Sequence, residues 1–234
     1  MNGPRTAGGV RAAAGPLAGT GRIADDLYLM AHDENTGRPL IGPRLLGTGL
    51  AAALLAELMF DGGLAIHDGS VGGAAPASGM VMACRAQIAD DLARHVHQVV
   101  AVEPQLHPVQ VWLEFLACDA VRNVAFRLVQ AGYLEQAPSR LPWKSARWVP
   151  VDPDWAYAPL TRACHSTGPD RDFYPGYAVL AGLAEACGLG FRMTGLLPAG
   201  RSVTDATGRL NVPLQNLISV TQTVAGAAVL AHRT

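Results

Sequence analysis

The chain is poor in charge. Of its 234 residues only 16% are Asp, Glu, Lys or Arg, and the formal net charge is -1. So little bulk charge gives no general attraction to nucleic acid or anionic lipid, and any such affinity has to come from a local patch. No nucleic-acid partner is therefore expected. Cysteine is sparse as well: Cys84, Cys118, Cys164 and Cys187 are widely spaced and form no CxxC pair. That argues against zinc and for buried thiols in a reducing compartment. GxSxG, a Walker loop, GxGxxG after a strand and HExxH are all missing, so no familiar catalytic motif, metal or cofactor is expected. No apolar run is expected to span a bilayer; the nearest, LLGTGLAAALLAELMF, is interrupted by Gly47 and Gly49 and ends at DGG.

Half of the residues are hydrophobic, which places the chain among globular proteins. Residues 1–22 form a Gly- and Ala-rich segment with Arg5, Arg11 and Arg22 and without the continuous apolar core of a secretion signal. The expectation is a basic tail, a single domain over residues 23–234 and a cytoplasmic protein, peripheral at the inner face of the membrane if it meets one. Ile23, Leu27, Met30 and Ala31 recur at helical spacing, and DENTG is turn chemistry that stops this helix near His32. Pro43 opens a second helix that runs to Phe60 and ends at Asp61, Gly62 and Gly63. Being apolar on nearly every face, it is expected to be the buried central helix.

LAIHD and MVMAC suggest a short hairpin, and IADDLARHVHQVVAV a third helix. HPVQVWLEFLACDAVRNVAFRLVQAGYL suggests one or two helices, with a break near Cys118 and Asp119 and a C-terminal cap at Gly132. A second hairpin is expected in residues 133–151, then helices near 154–164, 172–188 and 213–232. The fold class that results is mainly α, a helical domain around one buried helix with one or two short β-hairpins.

Several side chains look chemical and are better explained by spacing. His32, Asp33 and Glu34 are consecutive, so on a helix they point apart, and a solvated turn is expected. His95 and His97 splay on a helix. Asp25 and Asp26 suit the positive first turn of a helix better than acid–base catalysis. Cys164 and His165 are adjacent, whereas a nucleophile and its base usually meet from distant positions.

SRLPWKSARW is different. Arg140, Lys144 and Arg147 interleave with Leu141, Trp143 and Trp148. Tryptophan favours the bilayer interface and basic residues favour anionic headgroups, so this hairpin suits membrane contact. Each basic residue adds only about 1 kcal/mol, so stable attachment needs a second signal.

Taken in order, IADDLYLMAHDENTGRP, GTGLAAALLAELMFDGGLAI and VAFRLVQAGYL resemble the Golgi phosphoprotein 3 (GPP34) family, and this chain resembles its bacterial-type members. The resemblance implies a helical fold around a central apolar helix with a projecting hairpin. Eukaryotic members bind phosphatidylinositol 4-phosphate at the Golgi, dip the hairpin into the bilayer and recruit coat and glycosyltransferase tails. Their headgroup pocket uses a tryptophan and three arginines; the matching positions here are Gly42, Ala51, Cys118 and Val121. Arg44 and Arg122 are the nearby cations left to meet a headgroup.

Two functions are therefore expected to compete. One is a non-catalytic peripheral module that docks on anionic lipid through the 139–148 hairpin. The other is a family member repurposed as a small-molecule binder or enzyme, using the pocket left by the lost arginines. For the enzyme version, GPDRDFYPGYAVL offers Asp170, Asp172, Tyr174 and Tyr177 as cleft and acid–base groups, although a capped helix start explains them more simply. A homo-oligomer through the apolar segment VPLQNLISVTQTVAGAAVLAH is a further expectation.

Overall fold

The structure, a computed structural model, describes residues 19–67, 79–137, 147–165 and 173–231. Helix α1 spans Ile23–Met30 and α2 spans Pro43–Phe60. Proline at the first position of α2 costs nothing, because its missing N–H has no intrahelical partner there. At its other end the Gly63 N–H donates to the Leu58 carbonyl (2.8 Å) and Gly62 takes φ +70, which together make a Schellman stop.

Strands β1 (Leu64–His67) and β2 (Met80–Ala83) pair antiparallel, with Leu64 opposite Ala83. Helix α3 (Asp91–Val102) starts under Asp90, whose carboxylate accepts from the Ala93 N–H. A third strand, β3 (His107–Pro108), joins β2 and leads into α4 (Val109–Gln130). The hairpin of β4 (Leu134–Gln136) and β5 (Trp148–Pro150) follows, then α5 (Pro153–His165), α6 (Pro175–Ala186), α7 (Gly190–Met193), α8 (Val203–Thr207) and α9 (Val212–Ala231). The fold is mainly α with short antiparallel strands.

Helix α2 lies at the centre, contacting α1, α4, α6 and α9, and it is buried without a break from Leu46 to Leu58. The expectation that no segment has the length and apolarity of a span is corrected here: Pro43–Phe60 has both. Since 72% of it is buried inside the fold, the core explains its apolarity. Its glycines serve packing. A methyl at Gly47 would stand 2.6 Å from the Ala117 carbonyl oxygen of α4, so only glycine allows this helix pair to approach so closely. Gly47 meets Ala117, and ten residues on Glu57 meets Arg127, so α2 and α4 run parallel.

The expected break near Cys118 and Asp119 is absent. Helix α4 is continuous there, because the segment holds no Gly or Pro and Asp119 pairs with Arg122 one turn on (2.9 Å). Helix α6 begins at Pro175, and Asp172 lies outside the described residues.

Candidate functional site

Because α2 and α4 run parallel, their N-terminal halves lie side by side, and the C-terminal half of α9 closes over them. Between the three is an open groove of about 600 Å³, with Pro43, Arg44 and Thr48 from α2, Gln110, Glu114, Ala117 and Cys118 from α4, and Thr223, Val224, Ala227 and Ala228 from α9. Arg44 is the one cation of this lining and makes no ion pair among the described residues. Gln110 donates to Glu114 Oε1 at 2.9 Å. The Thr48 and Thr223 hydroxyls turn inward to carbonyls of their own helices, Arg44 O at 3.0 Å and Ser219 O at 3.1 Å.

The hairpin base meets the loop that carries Arg38 and leads to Arg44. The Asp33 carboxylate organises this loop, accepting from the Thr36 N–H (2.7 Å) and hydroxyl (2.6 Å). Those hydrogen bonds hold the Asp33 pKa below the usual carboxylate range. Gly37 takes φ +60 directly against the Trp148 carbonyl, where a methyl would fall well inside contact distance. The Arg147 guanidinium donates to the Thr36 carbonyl at 3.5 Å. Arg38, Arg44 and Arg147 are all exposed.

Farther along α2 lies a feature of another kind. The Arg127 guanidinium, nearly buried on α4, meets Asp25 of α1 (2.8 Å), Glu57 of α2 (3.2 Å) and Asp90 at the start of α3 (2.9 Å). Glu57 Oε1 also accepts from the Ala24 N–H at 2.8 Å, so α2 caps α1, whose own N-cap residue Arg22 gives no side-chain cap. Arg22 approaches Asp90 at 3.5 Å, and Asp26 accepts from the Thr20 N–H and hydroxyl.

Burial pushes Asp25 up to about 7, against the pull of Arg127, and Glu57's charge adds to the rise. Asp26 is pushed up to about 6, again by burial. At Asp90 burial works against the shift, yet the Ala93 N–H and the two guanidiniums hold it below the usual range. Asp25 and Asp26 stand in the first turn of α1, as the spacing predicts, and they are 3% and 2% exposed. All of α1 is buried, so its acids face partners and not water. A single guanidinium thus ties four helices together.

A second cleft, about 360 Å³, opens beside this network between Gly21–Ile23, the end of α2 and the start of α6, and Tyr174 lines it. The Tyr177 hydroxyl accepts from Arg162 at 2.7 Å. Burial pushes the Cys164 thiol up to about 11, away from nucleophile chemistry. His32 is buried and stacked on Tyr28, with Nδ1 2.7 Å from the Tyr28 carbonyl, and Glu34 pairs with Arg192 (3.1 Å), while Asp33 holds the exposed turn between them and Thr36. His97 Nε2 lies 2.9 Å from the Cys84 carbonyl, while His95 is exposed. Among the described residues no group of three His, Cys, Asp or Glu side chains is placed to hold a metal ion.

Of the positions singled out in the sequence, the groove brings together Arg44 and Cys118, while Gly42, the exposed N-cap residue of α2, is outside the lining. Ala51 is fully buried in the core and Val121 packs against it, so neither lines the groove. Arg122 points to solvent and is held by Asp119, outside the lining. Trp148 is half-buried and packs against the core at the base of the hairpin. Arg140, Leu141, Trp143 and Lys144 lie outside the described residues.

The Arg127 network was missed by sequence reasoning. Its signal is a lone charge inside an apolar run on each of two helices, LLAELMF and VAFRLVQ.

The fold is a mainly helical domain with a groove beside the N-terminal half of α2 and an ionic tie near its C-terminal end. The Golgi phosphoprotein 3 (GPP34) family pattern matches residues 23–229, nearly the whole chain. The chain belongs to that family. No protein of curated function matches it.

Proposed function

We propose that this GPP34 protein is a non-catalytic peripheral membrane module that docks on anionic lipid. The observation that carries this reading is the joining of the hairpin base to the α1–α2 loop, through Arg147 and Thr36 and through Gly37 and Trp148. It gathers the exposed Arg38 and Arg147 at the root of the hairpin, with Arg44 six residues beyond Arg38. Three such cations contribute about 1 kcal/mol each near an anionic surface, which is too weak alone. The Arg140, Leu141, Trp143 and Lys144 segment between β4 and β5 supplies the apolar and basic second signal.

Co-sedimentation with phosphatidylserine-containing vesicles tests the reading. Binding should be salt-sensitive, absent from neutral phosphatidylcholine vesicles, and lost in Trp143→Ala/Lys144→Ala and in Arg38→Ala/Arg147→Ala. Equal binding to neutral vesicles refutes it.

The groove favours a second reading, a binder of small apolar ligands. Its volume falls in the range of about 300–1,000 Å³ usual for such sites, and its lining holds one cation where a phosphorylated headgroup needs several converging donors.

A further inference from the structure

The α2–α4–α9 groove has a chemistry that narrows its ligand. Its polar groups are largely spent on one another: Gln110 on Glu114, Thr48 on the Arg44 carbonyl, Thr223 on the Ser219 carbonyl. What remains toward the open space is methyl and methylene surface, including Ala117, Val224 and Ala227, and the exposed Arg44 guanidinium, which makes no ion pair among the described residues. Arg44 and Glu114 also cancel in charge, so a dianion gains nothing from the lining as a whole. An apolar lining with one charged donor matches a linear chain ended by a single negative group.

We propose that the groove binds a single-chain amphiphile, a linear acyl chain carried by one carboxylate, with the carboxylate on Arg44 and the chain laid between α4 and α9. This rests on the second reading above, and names its ligand class.

Cys118 makes the proposal measurable. Its thiol is exposed within the groove, donating only weakly to the Glu114 carbonyl at 3.6 Å. Cys84 is half-exposed at the end of β2, outside the groove, and serves as the internal reference, while Cys164 and Cys187 are buried. The experiment is alkylation of the intact protein by iodoacetamide, read thiol by thiol by mass spectrometry, with monomeric laurate, dodecanol or inorganic phosphate present.

Laurate should slow Cys118 by about tenfold at saturation and leave Cys84 unchanged, and phosphate should protect neither. In Arg44→Ala the laurate concentration for half-protection should rise about tenfold, the factor that one charge-assisted pair supplies. Ala227→Trp should fill the groove and abolish the laurate dependence while leaving vesicle docking intact. Absence of laurate protection in the unaltered protein overturns the proposal, as does equal protection by phosphate or equal slowing of Cys84. Dodecanol protecting as well as laurate, with Arg44→Ala neutral, overturns the carboxylate assignment alone and leaves the apolar-ligand reading standing. Loss of vesicle docking with protection intact refutes the membrane reading and not this one.

Discussion

Replacing Arg127 by Met removes the guanidinium from a site where three carboxylates have been drawn together. Asp25 and Glu57 are 3% and 6% exposed, so neither can recover its solvation in place. Breaking a buried ionic cluster from one side costs about 3–5 kcal/mol, because the orphaned charges remain. That is a large share of the roughly 5–15 kcal/mol that holds a domain folded. With a urea slope of about 3 kcal/mol/M, the midpoint should fall by about 1 to 1.7 M at pH 8.

The pH dependence identifies the cause. Burial already raises Asp25 to about 7, and loss of Arg127 removes the charge that opposes the rise. The folded variant therefore takes up protons as the pH drops from 8 to 5, while the unfolded chain, with ordinary carboxylates, does not. Proton uptake by the folded state stabilises it, so the deficit should shrink on acidification. Urea denaturation followed by circular dichroism at pH 8 and pH 5 measures both. A deficit under about 1 kcal/mol at pH 8, or one that grows toward pH 5, refutes the assignment of Arg127 as counter-charge to buried carboxylates.

The unaltered protein should lose stability as the pH rises from about 4 to 7, since Asp25 and Asp26 have raised pKa values when folded. Asp25→Asn should flatten that slope by on the order of 2–4 kcal/mol, and an unchanged slope would assign the dependence elsewhere. Glu57→Gln keeps an oxygen for the Ala24 N–H and removes one charge from a carboxylate-rich cluster, so it should cost less than Glu57→Ala by about 1–2 kcal/mol in urea titrations. Equal losses would mean that Glu57 does not cap α1. Gly47→Val drives a side chain into the Ala117 carbonyl and should cost about 1–3 kcal/mol in thermal unfolding, whereas Gly176→Ala, with open space around it, should be neutral or slightly stabilising.

What could be read from the sequence was what the chain determines locally. Pro43 and the Asp61-Gly62-Gly63 stop bound α2 at the residues where it begins and ends, because both signals act on backbone within a few residues. Gly132 likewise ends α4, with φ +76. Short elements escaped: β3 exists because β2 offers an edge, and α8 depends on one capping box at Ser202 and Asp205. The site was half legible. Arg44 and Cys118 were singled out and do share a groove, but Ala51 cannot line it, because helix rotation turns that position into the core. The ionic network was invisible because its partners stand far apart; Asp25 and Arg127 are separated by 102 residues. Two adjacent aspartates at a helix start have a sufficient local explanation, and nothing local says that the whole helix is buried.

The distance between the two ends of α2 gives the network a bearing on the groove. Glu57 and Thr48 are nine residues apart on one helix, about 13–14 Å at 1.5 Å per residue. Helix α4 carries the matching pair, Arg127 and Cys118, also nine residues apart. The ionic tie and the groove are therefore two readings of the same register between parallel helices. Apolar surface resists a slide of one turn only weakly, since leucine and alanine faces repeat at about that interval. A guanidinium held by carboxylates from three other helices resists it strongly, because a slide of about 5.4 Å breaks every pair at once. Close packing of Gly47 on the Ala117 carbonyl adds a steric stop between the two features. The cost of burying these three carboxylates is thus offset by a fixed alignment, and that alignment is what sets Thr48 across from Cys118, with Arg44 one turn earlier on α2.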